Sequence, residues 1–444
     1  MTAFLAAKRA AAAAGLAEPG GRAERTAAGE LPGAAPHALP KELLEDLPED
    51  LIDGLGRLMT QGGKRLRPAL VYYTYRACGG RSDRQVLPLA LAVEFLHTYL
   101  LIHDDIMDHA EVRRGQPAAH ARFRDLHRAG GLRGDADDFG RSVAILLGDL
   151  AHTYAVDLFT GVAVRPGGAD SPEAGQLPPR PGPPAPHWIE LDRCFSVMCE
   201  EVIAGQYLEY LLAHRRYDGR PASGPSAAGA GAPDASPAGL ALAPRESELL
   251  RVLRLKSGRY TAERPIQLGA LLAGAPAELR AELSRYGTAV GEAFQLQDDL
   301  LGMFGDPETV GKPVGDDLRE GKFTLLIHHA LVNGAAADRQ RVADALGDPD
   351  LSAAAVAQVQ ETLERTGARR AVTGMIAQRL EEARHALDKA APLLASAAPI
   401  PASAAPVPAP GGTAAGQEHP GRPEAAEGLR FLAGLLDYLW EREQ

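Results

Sequence analysis

The chain has 444 residues, of which 45% are apolar and only 5% aromatic, so it can bury a large interior built mainly from aliphatic side chains. Its formal net charge of −11 argues against nucleic-acid binding, which needs a basic face. Leu and Ala dominate the apolar residues and alternating Val and Ile are scarce. This composition favours an all-α fold.

Cysteines and apolar runs indicate where the protein works. Cys78, Cys194 and Cys199 lack the spacing of metal ligands and cannot all pair with one another, which points to a reducing, cytoplasmic compartment. The longest apolar run, Val86 to Ile102, is interrupted by polar residues and falls short of the ~20 residues that a membrane span needs. We therefore expect no transmembrane segment.

Segments rich in Pro, Gly and Ala divide the chain. Residues 1–40 are predicted to be a disordered or frayed N-terminal extension, and residues 41–444 a single helical domain. Within that domain we predict insertions at 165–186, 216–245 and 397–426, because their Pro-rich or low-complexity composition disfavours regular elements.

Helical periodicity fills the stretches between these insertions. Apolar residues recur with the spacing of one helix face over Leu87–Asp108, Trp188–Leu212, Glu246–Leu272 and Leu279–Met303. The sequence therefore predicts long helices that bury one side.

The first cluster of basic residues follows two glycines in the segment GGKRLRP, which contains Lys64, Arg65 and Arg67. Glycines before clustered cations let backbone amides and side chains approach a phosphate together. The alternative interpretation is a turn followed by the solvated basic start of a helix. This segment alone does not distinguish the two.

An acidic cluster ends the apolar helix predicted over Leu87–Asp108. Asp104 and Asp108 are four residues apart, so on a helix they share one face, and Asp105 lies between them. Carboxylates at this spacing suit Mg²⁺, which combines one or two of them with waters and substrate phosphate oxygens. Arg113 and Arg114 follow as donors suited to a diphosphate. A solvated helix end with ion pairs is the alternative, but the apolar lead-in argues against it.

A second acidic cluster repeats this arrangement nearly 200 residues later. Asp298 and Asp299 share a predicted helix with Gln295, and Lys312 and Lys322 follow on a segment rich in Gly and Pro. If the two acidic clusters had only structural roles, two unrelated surface patches would have to share the same arrangement by coincidence. We therefore expect a pocket lined by metal ions and anions.

His97 and Lys256 carry weak signals by themselves. His97 lies seven residues before Asp104 and so on a similar helical face, yet a lone histidine is more often a satisfied core residue. Lys256 stands in the segment RLKSGRYT, which has no specific chemistry alone. Only the neighbouring motifs make either residue a candidate for the site.

The motifs occur in a characteristic order: GGKRLRP, HDDIMD followed by RRG, LLGD at Leu146–Asp149, LKSG and FQLQDD. This ordered set resembles the trans-isoprenyl diphosphate synthases, the polyprenyl synthetase family that includes farnesyl and geranylgeranyl diphosphate synthases. The resemblance covers residues 41 to about 395 and extends to the final helix. It implies a bundle of antiparallel helices around a deep central cavity, of the isoprenoid synthase type, and a homodimer.

The resemblance also implies Mg²⁺ as the cofactor. Asp104 and Asp108 would bind it from one wall of the cavity and Asp298 from the other, with Asp105 and Asp299 in support.

Other residues match substrate-binding positions of the family. Those that would hold the allylic diphosphate are Arg113, Lys256, Lys312 and Lys322. Those that would hold isopentenyl diphosphate are Lys64, Arg67, His97 and Arg114. Gln295 matches a residue beside the reacting carbons. The predicted catalytic residues are thus Asp104, Asp105, Asp108, Arg113, Lys256, Gln295, Asp298 and Asp299.

The reaction implied is condensation of isopentenyl diphosphate with dimethylallyl, geranyl or farnesyl diphosphate to a short-chain, all-trans product. Tyr99 and Leu100 match positions that form the floor of the family's cavity, and a bulky Tyr99 favours a short product. Geranylgeranyl diphosphate is the product that we expect, with farnesyl diphosphate as the alternative. Tyr99 is off the face of Asp104, so packing between helices is its other possible role.

The chain departs from the commonest family pattern at Gly302, where many members have a third aspartate. The change removes a ligand at i+4 from Asp298, and Asp306, Asp316 or Asp317 are candidates to compensate. A milder change places Ser257 where the family usually has threonine.

Two rival functions can be distinguished by sequence. A class I terpene cyclase also has an aspartate-rich helix, but it should carry an Asn/Asp, Ser/Thr and Glu triad on a later helix and lack GGKRLRP. A non-catalytic partner subunit typically loses aspartates from one cluster. Here the later helix reads DDLLG, the first cluster is whole and the second keeps its pair.

Overall fold

The computed structural model describes residues 49–60, 62–164, 188–215, 243–306, 314–396 and 423–441. The predicted N-terminal extension and the insertion at 165–186 lie outside these residues. Of the other two predicted insertions, only 243–245 and 423–426 are described. These short pieces join the fold, because the Pro244 carbonyl contacts the His328 ring nitrogen Nδ1 at 3.0 Å and a helix begins at Pro423.

Helices make up nearly all regular structure in the described chain. Its first half contains α1 (Glu49–Thr60), α2 (Leu66–Ala77), α3 (Asp83–Met107), a hairpin of β1 (Val112–Arg113) and β2 (Gln116–Pro117), α4 (Ala119–Ala129), α5 (Ala136–Val164) and α6 (Trp188–Ala213). The second half contains α7 (Glu246–Val252), a π-helix (Leu253–Glu263), α8 (Arg264–Leu272), α9 (Ala277–Phe304), α10 (Asp316–Arg319), α11 (Leu325–Asn333), α12 (Ala336–Ala345), α13 (Ala353–Arg365), α14 (Ala368–Ser396) and α15 (Pro423–Glu441).

The four long helices predicted from periodicity are confirmed. Three of them correspond to α3, α6 and α9, with ends that differ by a few residues from those predicted. The fourth, over Glu246–Leu272, has the predicted ends but contains the π-helix Leu253–Glu263, which the sequence did not predict. The all-α fold class is therefore confirmed.

The chain forms two compact units. Of the described residues, the first unit comprises 49–64 and 91–158, and the second comprises 65–90 and the described residues from 159 onward. In the first unit, the fully buried Phe95 of α3 meets Tyr154 of α5 edge to face, with ring centroids 5.7 Å apart. On the same helix, the buried Thr98 hydroxyl contacts the Met59 sulfur of α1 at 2.8 Å.

The second unit is organised around α9, which packs against α14 and the π-helix. Its closest approach is between backbones, because a Cβ atom at Gly291 would lie 2.0 Å from the Gly258 carbonyl oxygen of the π-helix. On the other side of the π-helix, a Cβ atom at Gly205 of α6 would lie 2.3 Å from the Lys256 nitrogen. The π-helix is thus held between two glycine contacts, which fixes the backbone that carries Lys256.

The last helix, α15, docks on α2 and α9 within the second unit. The buried Tyr286 hydroxyl donates to the Leu432 carbonyl at 2.6 Å, and the Gln297 side chain donates to the Leu439 carbonyl. Tyr73 stacks on Phe431 with ring centroids 4.2 Å apart. These contacts attach the C-terminal helix to the helix that carries the second acidic cluster.

Two helices, α3 and α5, are long and apolar enough to cross a membrane by length and composition alone. The apolar window of α3 is 56% buried within the fold and that of α5 is 39% buried. Buried core helices of globular proteins pass the same test, so this finding is weak support for a membrane span.

The three cysteines are free thiols. Burial raises the pKa of Cys78 and of Cys194 to about 12, so both thiols stay protonated at neutral pH. The cytoplasmic location inferred from cysteine usage stays a prediction, which cell fractionation would test.

Candidate active site

The first acidic cluster lies at the end of α3, where the helix meets the hairpin. The Asp108 amide donates to the Asp104 carbonyl at 2.8 Å, so the helical turn continues past the last residue of α3. Asp104 and Asp108 therefore share one face, as predicted, and both are half-buried. Asp105 points elsewhere and is only 3% exposed.

Arg113 neutralises the buried carboxylate of this cluster. Its Nε donates to Asp105 Oδ1 at 2.6 Å, and its Nη2 lies 3.7 Å from Asp104 Oδ2. Burial opposes the charge on Arg113, but the hydrogen bond to Asp105 and the charges of both aspartates outweigh it and raise the pKa of the guanidinium. Arg113 is thus an integral part of the acidic cluster.

A tight hairpin sets the direction of the two arginines. Val112 pairs with Pro117 and Arg113 with Gln116, which leaves Arg114 and Gly115 as a two-residue loop. Both loop residues have positive φ, 54° and 72°, as a type I′ turn requires. The segment RRG therefore forms a turn in which Arg113 pairs with Asp105 and Arg114 lies beside Gly62 and Gly63.

Arg114 lies against the glycines of the GGKRLRP segment. Its Nη1 approaches the Gly62 carbonyl at 3.4 Å, and a Cβ atom at Gly63 would lie 2.8 Å from the guanidinium. Only glycine at 63 permits this approach. The next residue, Lys64, is exposed, so two predicted ligands of one diphosphate are neighbours in the first unit.

A small cavity of about 20 Å³ lies beside these residues, enough for a water molecule. Four predicted site residues line it, together with residues of α1 and α3: Leu58, Glu94, His97, Thr98, Leu101, Ile102, Asp105, Arg113 and Arg114. Glu94, which is 5% exposed, was missed by the sequence analysis. Its signal was an acid three residues before His97 inside an apolar helix.

Tyr99 occupies a different face of α3 from His97. Its ring lies 4.7 Å from that of His103 and 5.0 Å from that of His152 on α5, measured between centroids. Tyr99 does not line the cavity beside Arg114. Its predicted role in product length stays a prediction.

In the second unit, Arg67 reaches from α2 to the π-helix. Its Nη2 donates to the Thr261 hydroxyl at 2.8 Å, and its guanidinium lies 4.5 Å from the ring centroid of Tyr260. A stacked and hydrogen-bonded guanidinium is oriented more firmly than a solvated one.

Lys256 is paired with Glu209 of α6. Its Nζ donates to Glu209 Oε2, and the two side chains are 20% and 23% exposed. Glu209 carries no distinct sequence signal, because one acid on a helix with apolar neighbours is common. The pairing arises from tertiary packing, because the close contact of Gly205 on α6 with the π-helix brings Glu209 beside Lys256.

The second acidic cluster brings four carboxylates into mutual influence. Gln295 Nε2 donates to Asp299 Oδ1 at 2.8 Å, one turn apart on α9. Burial and the charge of Asp317 nevertheless raise the pKa of Asp299 well above its ordinary value, and Asp298 and Glu209 add to the effect. Asp298 itself is exposed. Burial and neighbouring carboxylates thus both oppose the charge of Asp299.

Lys322 is the nearest predicted cation in this cluster. Its Nζ lies 2.5 Å from Glu320 Oε2 and 3.7 Å from Asp317 Oδ1. The other predicted cation, Lys312, lies outside the described residues. Among the residues that are described, no three His, Cys, Asp or Glu side chains converge as a ready metal cage.

Comparison with known proteins decides the family. Residues 49–363 match the family model of the polyprenyl synthetases. The chain belongs to the polyprenyl synthetase family. The resemblance read from the ordered motifs is thereby confirmed, and with it the assignment of this chain as a prenyltransferase of isoprenoid biosynthesis.

Curated relatives include isoprenyl diphosphate synthases of different product lengths. A geranylfarnesyl diphosphate synthase of Aeropyrum pernix is 33% identical over 294 residues, 65% of this chain and 72% of that protein. A (2E,6E)-farnesyl diphosphate synthase of Mycobacterium tuberculosis is 33% identical over 317 residues, 69% of this chain and 68% of that protein.

Solved structures agree with the fold. A geranylgeranyl pyrophosphate synthase of Corynebacterium glutamicum, complexed with isoprenyl diphosphate and magnesium, is 30% identical with a TM-score of 0.63. The match covers 78% of this chain and 90% of that chain. A decaprenyl diphosphate synthase of Rhodobacter capsulatus, 23% identical with a TM-score of 0.61, covers 89% of this chain and 91% of its own and shares the fold.

The contrast between the two hairpin arginines gives a first test. We expect Arg113→Ala to lower the free energy of unfolding by about 3–5 kcal/mol, because it removes the guanidinium that pairs with the buried Asp105 carboxylate. Arg114→Ala removes an exposed side chain, so its effect should stay within about 1 kcal/mol. Denaturant unfolding of both variants measures this difference, and equal losses would show that Arg113 has no special structural part.

Proposed function

We propose that this prenyltransferase condenses isopentenyl diphosphate with allylic diphosphates to a short-chain, all-trans isoprenyl diphosphate. One observation carries the proposal. In the first unit the fold places Arg114 on the glycines that precede Lys64, at the end of the helix that presents Asp104 and Asp108. Cations beside paired carboxylates suit a site that binds diphosphates and divalent metal ions.

The donor set fits Mg²⁺ as the cofactor. Asp104 and Asp108 present carboxylates from one helical face, and Asp298 is exposed at the second cluster, where burial and neighbouring negative charges raise the pKa of Asp299. Mg²⁺ keeps several waters and needs only one or two carboxylates besides substrate oxygens, so no closed protein cage is required. When bound, it would stabilise negative charge on the departing diphosphate.

The side chains of this chain would do the remaining work. Lys256, Lys322 and Arg113 would hold the allylic diphosphate, and their fixed charges favour its departure from the allylic carbon. Lys64 and Arg114 would hold isopentenyl diphosphate so that its double bond attacks that carbon. Loss of a proton then completes one extension by five carbons.

Further residues complete the proposed substrate contacts. Arg67 and His97 would join the isopentenyl diphosphate site, Lys312 the allylic site, and Gln295 would lie beside the reacting carbons. Asp105 and Asp299 would support the metal-binding aspartates.

Product length is proposed from the relatives and from the floor residues. Geranylgeranyl diphosphate is our proposal, since relatives named for products from farnesyl to geranylfarnesyl bracket it. Farnesyl diphosphate is the alternative. Incubation of the purified protein with isopentenyl diphosphate and each allylic starter, followed by sizing of the products, separates the two. A cyclised hydrocarbon as the product would instead favour a terpene cyclase.

We also propose a homodimer, in which α6 supplies part of the interface. Ile203, Tyr207 and Tyr210 form a stripe at i, i+4 and i+7 on α6, and they are 53%, 64% and 44% exposed. An exposed apolar stripe of this kind marks a protein-protein contact, and homodimers are the commonest assemblies. Light scattering should give a dimer for the native chain and a monomer for Tyr207→Asp. A native monomer would refute the proposal.

Loss of either acidic cluster should stop turnover. We expect Asp104→Ala and Asp298→Ala each to lower the rate by ~10²–10³ or more, the usual effect of removing a contact that stabilises developing charge. Circular dichroism should show native helix content in both variants, since neither residue belongs to the buried core. Near-normal turnover of either variant at saturating Mg²⁺ would refute the assignment.

Tyr99 provides the test of product length. We expect Tyr99→Ala to lengthen the main product by at least one isoprene unit, because an apolar cavity opened there accepts hydrocarbon. Phe95→Ala, four residues earlier on α3, is the matched control: it should cost ~3–5 kcal/mol of stability without altering the product. An unchanged product together with a similar stability loss for Tyr99→Ala would assign Tyr99 to packing, and Leu100 would become the next candidate.

A further inference from the structure

A second cavity lies in the second unit, between α9, α14 and the start of the π-helix. Its volume is about 400 Å³, which is within the range of sites that bind small molecules. Of the described residues that line it, none is among those predicted to bind substrate or metal. The cavity is therefore made of residues to which the proposed reaction gives no role.

Small side chains keep this cavity open. Ala289 of α9 and Ala386 of α14 line it, and both are buried. Longer side chains at these two positions would fill the space between the helices, as in a close-packed interior. Apart from Thr288, the remaining lining residues have ionisable side chains. The cavity thus combines two methyl groups with a wall of charged groups.

The wall carries more positive than negative charge. Four of its side chains are cations, namely Arg254, Arg285, Arg379 and Lys389. Three are acids, namely Glu282, Glu292 and Glu382. The formal net charge of the wall is therefore +1 before any charge on His385 is counted, in a chain whose formal net charge is −11. A concave site lined with an excess of one charge attracts ions of the other sign, here anions.

A buried carboxylate orients two of the arginines. The Glu292 side chain is 3% exposed, and its two oxygens accept hydrogen bonds from Arg254 Nε and Arg379 Nε, each at 2.6 Å. Arg379 Nη1 also donates to Glu382 Oε2 at 2.8 Å. Within the described chain, both terminal nitrogens of Arg254 and the Nη2 of Arg379 have no hydrogen-bond partner. The two guanidiniums are thus held in place with donors left for a ligand.

His385 and Lys389 add donors from α14. They are four residues apart, so they share one face of the helix, and both are exposed. Neither forms an ion pair or a hydrogen bond with another described residue. Exposed cations without partners are common on helices, so these two alone would indicate nothing. Beside guanidiniums that are already oriented, they complete a set of donors around one cavity.

We infer that this cavity binds a small phosphate-bearing anion, at a second site outside the candidate active site. Several guanidinium and ammonium donors around one space suit a phosphate group, which offers more oxygens and more charge than a carboxylate. The shared chemistry is the phosphate group, whether free, in diphosphate or in a simple ester, and the test separates these sources. The inference goes beyond the proposed function and does not depend on it.

A ligand in this cavity would lie beside two segments that carry candidate active-site residues. Arg254 is two residues before Lys256 on the π-helix, and Glu292 is six residues before Asp298 on α9. The ion pair between Arg254 and Glu292 joins these segments. A phosphate group bound to Arg254 would therefore contact the link between the π-helix and α9.

Isothermal titration calorimetry of the full-length protein in a metal-free buffer tests the inference. Inorganic phosphate, inorganic diphosphate and glycerol 3-phosphate are titrated separately, with acetate as the monovalent control. Each titration uses the native protein and the Arg114→Ala variant, in which the candidate active site has lost a cation. We expect saturable binding of at least one of the three phosphate compounds in both proteins, and the one that binds most tightly identifies the source of the phosphate group.

Lys389→Gln is the main variant, because the Lys389 side chain is exposed and has no partner among the described residues. We expect it to weaken binding of the tightest compound by ~10-fold, the usual effect of losing a hydrogen bond to a charged group. Lys389→Arg should retain most of the affinity. Arg370→Gln is the matched control, since it removes a positive charge from another exposed position of α14 that does not line the cavity. Its affinity should stay within about twofold of that of the native protein.

A second variant tests the same cavity from the other helix. Arg285 belongs to α9, and its side chain is 65% exposed, so Arg285→Gln should fold and should also weaken binding several-fold. Melting temperatures show whether each variant is folded. If Lys389→Gln does not fold, Arg285→Gln decides in its place, and native affinity in that variant overturns the inference.

Other results would overturn the inference and leave the proposed function standing. Native affinity in Lys389→Gln together with loss of binding in Arg114→Ala would place the anion in the candidate active site alone. Equal weakening by Lys389→Gln and Arg370→Gln would show a general charge effect. Acetate that binds as tightly as the phosphate compounds would contradict the ligand class, and absence of binding of all three compounds at millimolar concentration would contradict the site. Near-normal turnover of Asp104→Ala bears on the proposed function alone.

Discussion

Repulsion between carboxylates is the constraint on which the candidate site depends. Each acidic cluster concentrates negative charge in partly buried surroundings, where like charges resist ionisation. The first cluster meets this cost with Arg113, which binds the buried Asp105 and leaves Asp104 and Asp108 on a common face. In the second, burial and then the charges of Asp317, Asp298 and Glu209 raise the pKa of Asp299. The two clusters therefore differ in how far each is neutralised before any ligand binds.

Close contacts between backbones hold the segment that carries Lys256. Gly291 and Gly205 let α9 and α6 touch the π-helix without intervening side chains. Such close packing leaves little freedom for the segment that carries Lys256. A charged group held by a rigid element loses less entropy when it binds a diphosphate than one on a mobile loop. The glycines thus help to fix the position of the Lys256 charge, although they carry no charge themselves.

The sequence predicted those parts of the site that depend on residues close together in the chain. The face shared by Asp104 and Asp108 follows from helical period, and the long helices follow from apolar spacing. The π-helix was missed because its apolar pattern does not differ clearly from that of an α-helix over one or two turns. Glu209 and Asp317 were not resolved because their partners, Lys256 and the Gly302 backbone, are distant in sequence and come close only through tertiary packing.

The pairing of candidate cations with carboxylates has a consequence for ligand binding. Lys256 lies on Glu209, and Lys322 lies on Glu320 and near Asp317. A diphosphate bound by these lysines would compete with their carboxylate partners, and a carboxylate released beside Asp299 would add to the repulsion there. In the proposed function, a divalent cation bound together with the diphosphate would offset that repulsion by its positive charge, while the lysines would hold the phosphates. In the proposed function, binding of the anion and of the cation at the second cluster would therefore be coupled, because each would lower the electrostatic cost of binding the other.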